Sequence, residues 1–284
     1  MTEPCRILEE SELQQPKKTM VSYIISHDVA ISGAKDSDNA CTTVIKLKNK
    51  PNGTFSKEVV YIKTHRGITL KEQRDFIREL LVRFPKTAKL VIDARGNGQE
   101  LPNMFDEVWE KRNEKGEVIE YPPLVPDNDQ ERMKLKNAIP LIRVVTATND
   151  LNNIIYTYMK QCFENKTIKL LVPSTIKDAA YKNNMFKQYK VDKKDNEDNL
   201  EVIGQDEFMC HVETDLLVSE LSNIRQKLSG YNNVIYEQIS SGVKRDRVTS
   251  LGYGLLVVRE MEEENKLQTK VSIDDYMYFM QAGF

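Results

Sequence analysis

The chain is poor in the residues that build metal knuckles, redox pairs and membrane spans. Its four cysteines, Cys5, Cys41, Cys162 and Cys210, show no CxxC spacing, which excludes a zinc knuckle or dithiol centre and fits a reducing compartment. There are only three histidines, and the adjacent Cys210 and His211 have no second close pair to complete a ligand set. No apolar run approaches the roughly 20 residues that span a bilayer. The opening MTEPCRILEESELQQPKKT is polar and acidic where a signal peptide would be basic and then apolar, so residues 1–19 read as a polar linker of a cytoplasmic protein. No GxxxxGK[ST] phosphate loop occurs, so no nucleotide-driven motor is encoded here, and GNG at Gly96–Gly98 is too short for a dinucleotide fingerprint. A net charge of -2 excludes nucleic-acid binding by bulk positive charge and leaves only local patches.

What is present describes a soluble globular protein: 284 residues, 40% hydrophobic and 30% charged, enough for one large elaborated domain over residues 20–265. Apolar runs at Val21 to Ser26, Cys41 to Lys48 and Glu58 onward, separated by turn residues that include Asn52 and Gly53, predict an antiparallel three-strand meander. The period then becomes helical in TLKEQRDFIRELLVRF, where Thr69 and Glu72 have capping-box spacing and Pro85 stops the run. KLVIDA follows as a strand entered from a helix, which places it as a parallel neighbour of the first strand. A loop and helix are expected after it, then a strand in IPLIRVV. Helices are expected in DLNNIIYTYMKQCF, STIKDAAYKNNMFKQY and GQDEFMCHVETDLLVSELSNIRQKL, the last burying Phe208, Val212, Leu216, Leu217, Leu221 and Ile224. NEKGEVIEYPPLVPDNDQER and KVDKKDNEDN read as exposed loops. Residues 266–284 form a tail in which VSIDDYMYFMQAGF is apolar and aromatic, suited to packing on its own domain or to binding a partner.

Three aspartates stand out. Asp28 in VSYIISHDVAISGAKDSD and Asp93 in KLVIDARGNG each end an apolar run that gives way to a polar, Gly-containing stretch, the pattern of a buried strand delivering a carboxylate to a loop mouth. Asp246, in GVKRDRVTSLGYGL, opens a helical pattern whose Asp246, Ser250 and Gly254 recur at steps of four on one face, small enough for close approach. Each Asp alone also suits a turn or an N-cap. Together they match phosphodiester hydrolysis with two divalent ions about 4 Å apart, which needs hard oxygen ligands on rigid element ends. Lys244, Arg245 and Arg247 flank Asp246 and supply cations for DNA phosphates. His27 adjoins Asp28, but strand alternation points it to the opposite face.

The order of strand, hairpin, helix, strand and late helix, with Asp at these points, resembles the ribonuclease H-like fold, an α/β architecture with a mixed central sheet flanked by helices. KRDRVTSLGYGLLVVREME resembles the last motif of the nuclease domain of phage terminase large subunits. HDVAISGAKDSD and VIDARGNG resemble that family's first and second acidic motifs, and IKLLVPS and ETDLLVSELSNI are also similar.

That resemblance implies a metal-dependent endonuclease that cuts concatemeric double-stranded viral DNA at the start and end of packaging, in the cytoplasm of the infected bacterial host. Asp28, Asp93 and Asp246 match the family's ligands for Mg2+ or Mn2+ in a two-metal site. Asp36 and Asp38 lie where some members carry an auxiliary acid, and each also suits a turn. The partners implied are a terminase ATPase motor domain, excised or separately encoded, with a small terminase subunit and a portal. The three carboxylates equally suit another ribonuclease H-like nuclease or a strand transferase, and as structural caps they suit a catalytically silent DNA-packaging adaptor.

Overall fold

The computed structural model describes residues 21–30, 39–93, 99–113, 115–175, 197–228 and 234–281, with side chains described outside 197–205 and 268–281. The first three strands, β1 (Val21–Asp28), β2 (Ala40–Asn49) and β3 (Phe55–His65), form the expected antiparallel meander. At the β2–β3 turn Gly53 adopts φ +76°, a conformation open to glycine, and the Asn52 side chain accepts from Thr54 N and Oγ1. Helix α1 (Leu70–Arg83) begins with the anticipated capping box: Thr69 Oγ1 accepts from Glu72 N, and Glu72 Oε2 accepts from Thr69 N. The chain then returns as β4 (Thr87–Asp93), parallel to β1.

A four-residue helix, α2 (Glu100–Asn103), precedes a separate two-stranded ribbon of β5 (Trp109–Arg112) and β6 (Val118–Tyr121), where stacked Trp109 and Tyr121 pair across the strands. The longer helix expected after Asp93 is therefore replaced by a hairpin, and Trp109 is a β residue. The main sheet gains β7 (Leu124–Pro126) and β8 (Ile139–Val145), both parallel to their neighbours, and on its far edge β9 (Ile168–Lys169). β7 corrects the reading of the surrounding stretch as irregular, since Leu124 and Val125 are buried against β8. The seven strands run β7-β8-β4-β1-β2-β3-β9, so β1 lies at the centre with apolar residues buried on both faces.

The faces of β1 are covered differently. Tyr23 and His27 meet α1 through Phe84 and Gln73. The opposite face takes α5 (Asp246–Gln281), on which α3 (Asn149–Glu164) and α4 (Glu197–Ser222) pack in turn, while α4 also runs along β3, its Asp206 bonding Tyr61 and Lys63 of β3 and Arg83 of α1. α4 stops at Ser222, and IRQKL, expected to continue it, forms β10 (Ile224–Leu228), hairpinned to β11 (Val234–Gln238). The buried stripe of α4 is Cys210, Glu213, Thr214, Leu217 and Glu220, whereas Leu216 is 45% exposed, so its inward face is more polar than its apolar spacing indicates. α5 runs on through the segment expected as a separate tail, as one helix of 36 residues. STIKDAAYKNNMFKQY lies outside the described residues after Thr175, as does KVDKKDNEDN through Asn196; the last three residues of the latter, expected as loop, open α4. No helix among the described residues is long and apolar enough to cross a membrane.

α5 sits close to its neighbours because of two glycines. A Cβ on Gly254 would come within 2.8 Å of Ile45 Cδ1 and 3.2 Å of Ser26 Cβ, and one on Gly252 within 2.6 Å of Ile155 Cγ2. Ser250 Oγ donates to the Ser26 carbonyl at 3.0 Å. The Asp246, Ser250, Gly254 stripe thus lies on β1, as its spacing indicates.

Candidate active site

β1 and β4 deliver their terminal carboxylates side by side. The parallel register runs Ser26 with Val91 and His27 with Ile92, so Asp28 and Asp93 follow at the next step of neighbouring strands, with the same alternation and hence on the same face. That face is the one carrying Ser26, hence the one under α5. Asp93 is buried at 8% exposure, and its Oδ2 accepts from Tyr253 Oη of α5 at 3.1 Å. Cys41 lies opposite Asp28 on β2; burial, then the Asp28 charge, pushes its thiol well up.

Asp246 begins α5, one helical turn before Ser250, so it lies over the β1 end that carries Asp28. It is buried, and Asn39, at the entrance to β2, donates to its Oδ2 from both the backbone N (3.4 Å) and Nδ2 (3.1 Å). The first amides of α5 are satisfied by another helix: Glu220 Oε2 of α4 accepts from Arg247 N at 3.0 Å and Val248 N at 3.1 Å. Arg247 completes the junction, donating from Nε to Glu213 Oε2 at 2.5 Å and from Nη1 to Glu220 Oε1 at 2.6 Å, while Thr64 Oγ1 of β3 donates to Glu213.

Of the three cations flanking Asp246, Lys244 and Arg245 are exposed. Arg247 is 8% exposed and turned inward to two carboxylates, which makes it a structural cation, in contrast to the phosphate contact its sequence position suggests. Arg245 also reaches the Tyr156 hydroxyl, whose pKa burial raises. Asp36 and Asp38 lie outside the described residues, as do Arg95 and the glycines after Asp93. His27 takes the opposite face, as alternation indicates, its ring nitrogens 2.8 Å from Thr42 Oγ1 and from Gln73 Oε1. His211 is likewise structural, donating from Nδ1 to the Val172 carbonyl at 2.7 Å.

Sequence inspection missed Asn39, Tyr253, Glu213 and Glu220. The available signal was Glu213 and Glu220, seven residues apart and so on one helix face, in a chain whose last motif carries an arginine within an apolar stripe.

The donor type suits a hard divalent cation: three carboxylates from distant parts of the chain lie toward the same end of the sheet. Among the described residues no group of three or more His, Cys, Asp or Glu side chains is drawn together as a ligand cluster. Oδ2 of Asp93 is turned to Tyr253 and Oδ2 of Asp246 to Asn39, so a cation bound here competes with or shares these donors. No protein-family model, curated protein or solved structure matches this chain.

Proposed function

We propose that this chain is a divalent-metal-dependent endonuclease of ribonuclease H-like fold, the nuclease of a terminase large subunit, cutting concatemeric double-stranded DNA during viral genome packaging. The observation that carries it is the placement of Asp28, Asp93 and Asp246, far apart in sequence, at the same end of β1 and β4 on the face that α5 covers. The antiparallel meander followed by parallel strands supports the fold, and the GVKRDRVTSLGYGL motif supports the family.

Asp28, Asp93 and Asp246 would hold Mg2+ or Mn2+, which supplies an activated water and neutralises charge on the leaving oxygen. The rigid strand ends fix two of the carboxylates, and the packing of Gly254 and Ser250 on Ser26 fixes the third. Tyr253 and Asn39 orient carboxylate oxygens as outer partners. Lys244 and Arg245, exposed beside Asp246, would contact the DNA backbone. In this reading DNA reaches the site through an ATPase motor partner, a small terminase subunit and a portal, in the host cytoplasm.

The engagement of Asp93 and Asp246 with Tyr253 and Asn39 favours one competing reading, a silent packaging adaptor whose acids are structural. Supercoiled plasmid incubated with the full chain in Mn2+, Mg2+ or EDTA separates the two. Metal-dependent nicking and linearisation, lost in Asp93→Asn and Asp246→Asn, is expected. Cutting that survives either substitution overturns the catalytic assignment, and the chemistry of the product ends distinguishes hydrolysis from strand transfer.

A further inference from the structure

Helix N-termini leave amides without intrahelical partners, and the side chain of the residue before the helix ordinarily accepts from them; before α5 that residue is Arg245, which has no side-chain acceptor. In α5 that work is done from outside. Glu220 of α4 accepts from both Arg247 N and Val248 N, and the next amide, Thr249 N, bonds the Arg245 carbonyl at 2.8 Å. The Asp246 carboxylate is directed instead to Asn39, at the sheet end shared with Asp28 and Asp93. Glu220 is 4% exposed and bound through its other oxygen to Arg247, whose Nε is held by Glu213, itself tied to Thr64 of β3. The start of α5 is therefore fixed to α4 and, through α4, to the sheet.

We propose that Glu220 is a positioning residue for Asp246: it caps α5 from α4, where Arg245 offers no acceptor, and so holds the first turn with the Asp246 carboxylate presented to a divalent cation. This rests on the metal-site reading above. Glu220 touches neither the cation nor DNA; it acts through the backbone of Arg247 and Val248. Converting it to Gln keeps an acceptor for the amides but removes the charge facing Arg247. Converting it to Asp keeps the charge and shortens the reach, which leaves a folded alternative should the first variant fail to fold.

Mn2+ binding to the full chain is measured by titration calorimetry, alongside melting curves, for the wild type, Glu220→Gln, Glu220→Asp and Asp246→Asn. The expected result is wild-type binding that Asp246→Asn weakens, and binding about 10- to 100-fold weaker in whichever Glu220 variants melt cooperatively. A cooperatively melting Glu220 variant with a lowered melting temperature and wild-type Mn2+ affinity overturns the positioning role while the metal site stands. Absence of Mn2+ binding by the wild type, or binding indifferent to Asp246→Asn, overturns the metal-site reading and this proposal with it.

Discussion

Two buried charge clusters fasten α5, one at its N-terminus and one about four turns along, and they differ in charge balance. At the near end one guanidinium, Arg247, faces two carboxylates, Glu213 and Glu220, with Asp246 alongside. At the far end one ammonium, Lys57, faces one carboxylate, Glu262, at 2.7 Å, and Glu262 also accepts from Phe55 N and Tyr158 Oη. The far cluster is neutral and well satisfied. Although burial opposes it, the bonds from Lys57, Phe55 and Tyr158 hold the Glu262 carboxyl below its ordinary range. At the near end burial prevails over Arg247 and pushes Glu220 up, with the Asp246 charge adding to the rise. The far end is a fastening; the near end carries an excess of negative charge at the place where a cation would be useful.

The sharpest way to break that comparison is Lys57→Met. It leaves Glu262 buried with its charge uncompensated, and a loss of about 3–5 kcal/mol in urea unfolding is expected. Mn2+ affinity of the folded fraction should stay at the wild-type value, because the far cluster lies four turns from Asp246. A matching fall in Mn2+ affinity would show that the two ends are not separable.

A second test concerns the face of β1 turned away from α5. His27 is fully buried, and burial lowers its pKa to about 4 from the ordinary 6.5, with the Gln73 hydrogen bond working in the other direction and the neighbouring His65 lowering it further. The folded state thus takes up its proton less readily than the unfolded state. As pH falls through 6.5 toward 4 the unfolded chain binds the proton first, so stability present at pH 7 is lost across that window. For this one group the loss between pH 7 and 5 is about 2 kcal/mol. Urea unfolding at the two pH values should show that much less pH dependence in His27→Gln than in the wild type, while His65, lowered to about 4 chiefly by burial, contributes to both proteins alike. Equal slopes would mean that His27 is solvated in the native state.

Much of the frame was legible because its signals are local. The capping box at Thr69, the two-sided apolar runs of β1 and β4, and the four-residue step of Asp246, Ser250 and Gly254 each depend on neighbours in sequence. β7 was not, because Leu124 and Val125 between prolines show no period of two and become a strand only by pairing with β8. The clamps around α5 were hidden for a different reason. Lys57, Glu213, Glu220 and Glu262 belong to residue types that are almost always exposed, so each reads as solvated until its partner is placed. Asn39 gave no signal either, since its role depends on Asp246, 207 residues away.

The smallest expected effect comes from the two arginines that bracket Asp246, which look equivalent in sequence and are opposites in place. Arg245 is exposed and Arg247 is sealed between Glu213 and Glu220. Arg245→Ala should leave folding stability within about 0.5 kcal/mol, as surface changes usually do. It should weaken binding of a short DNA duplex in EDTA, and reduce the slope of log affinity against log salt by about 1, the signature of one lost phosphate contact. Arg247→Ala should act through stability instead, because it strands two buried carboxylates. An unchanged salt slope in Arg245→Ala would take Arg245 out of the proposed DNA path and leave Lys244 as the exposed basic neighbour of Asp246.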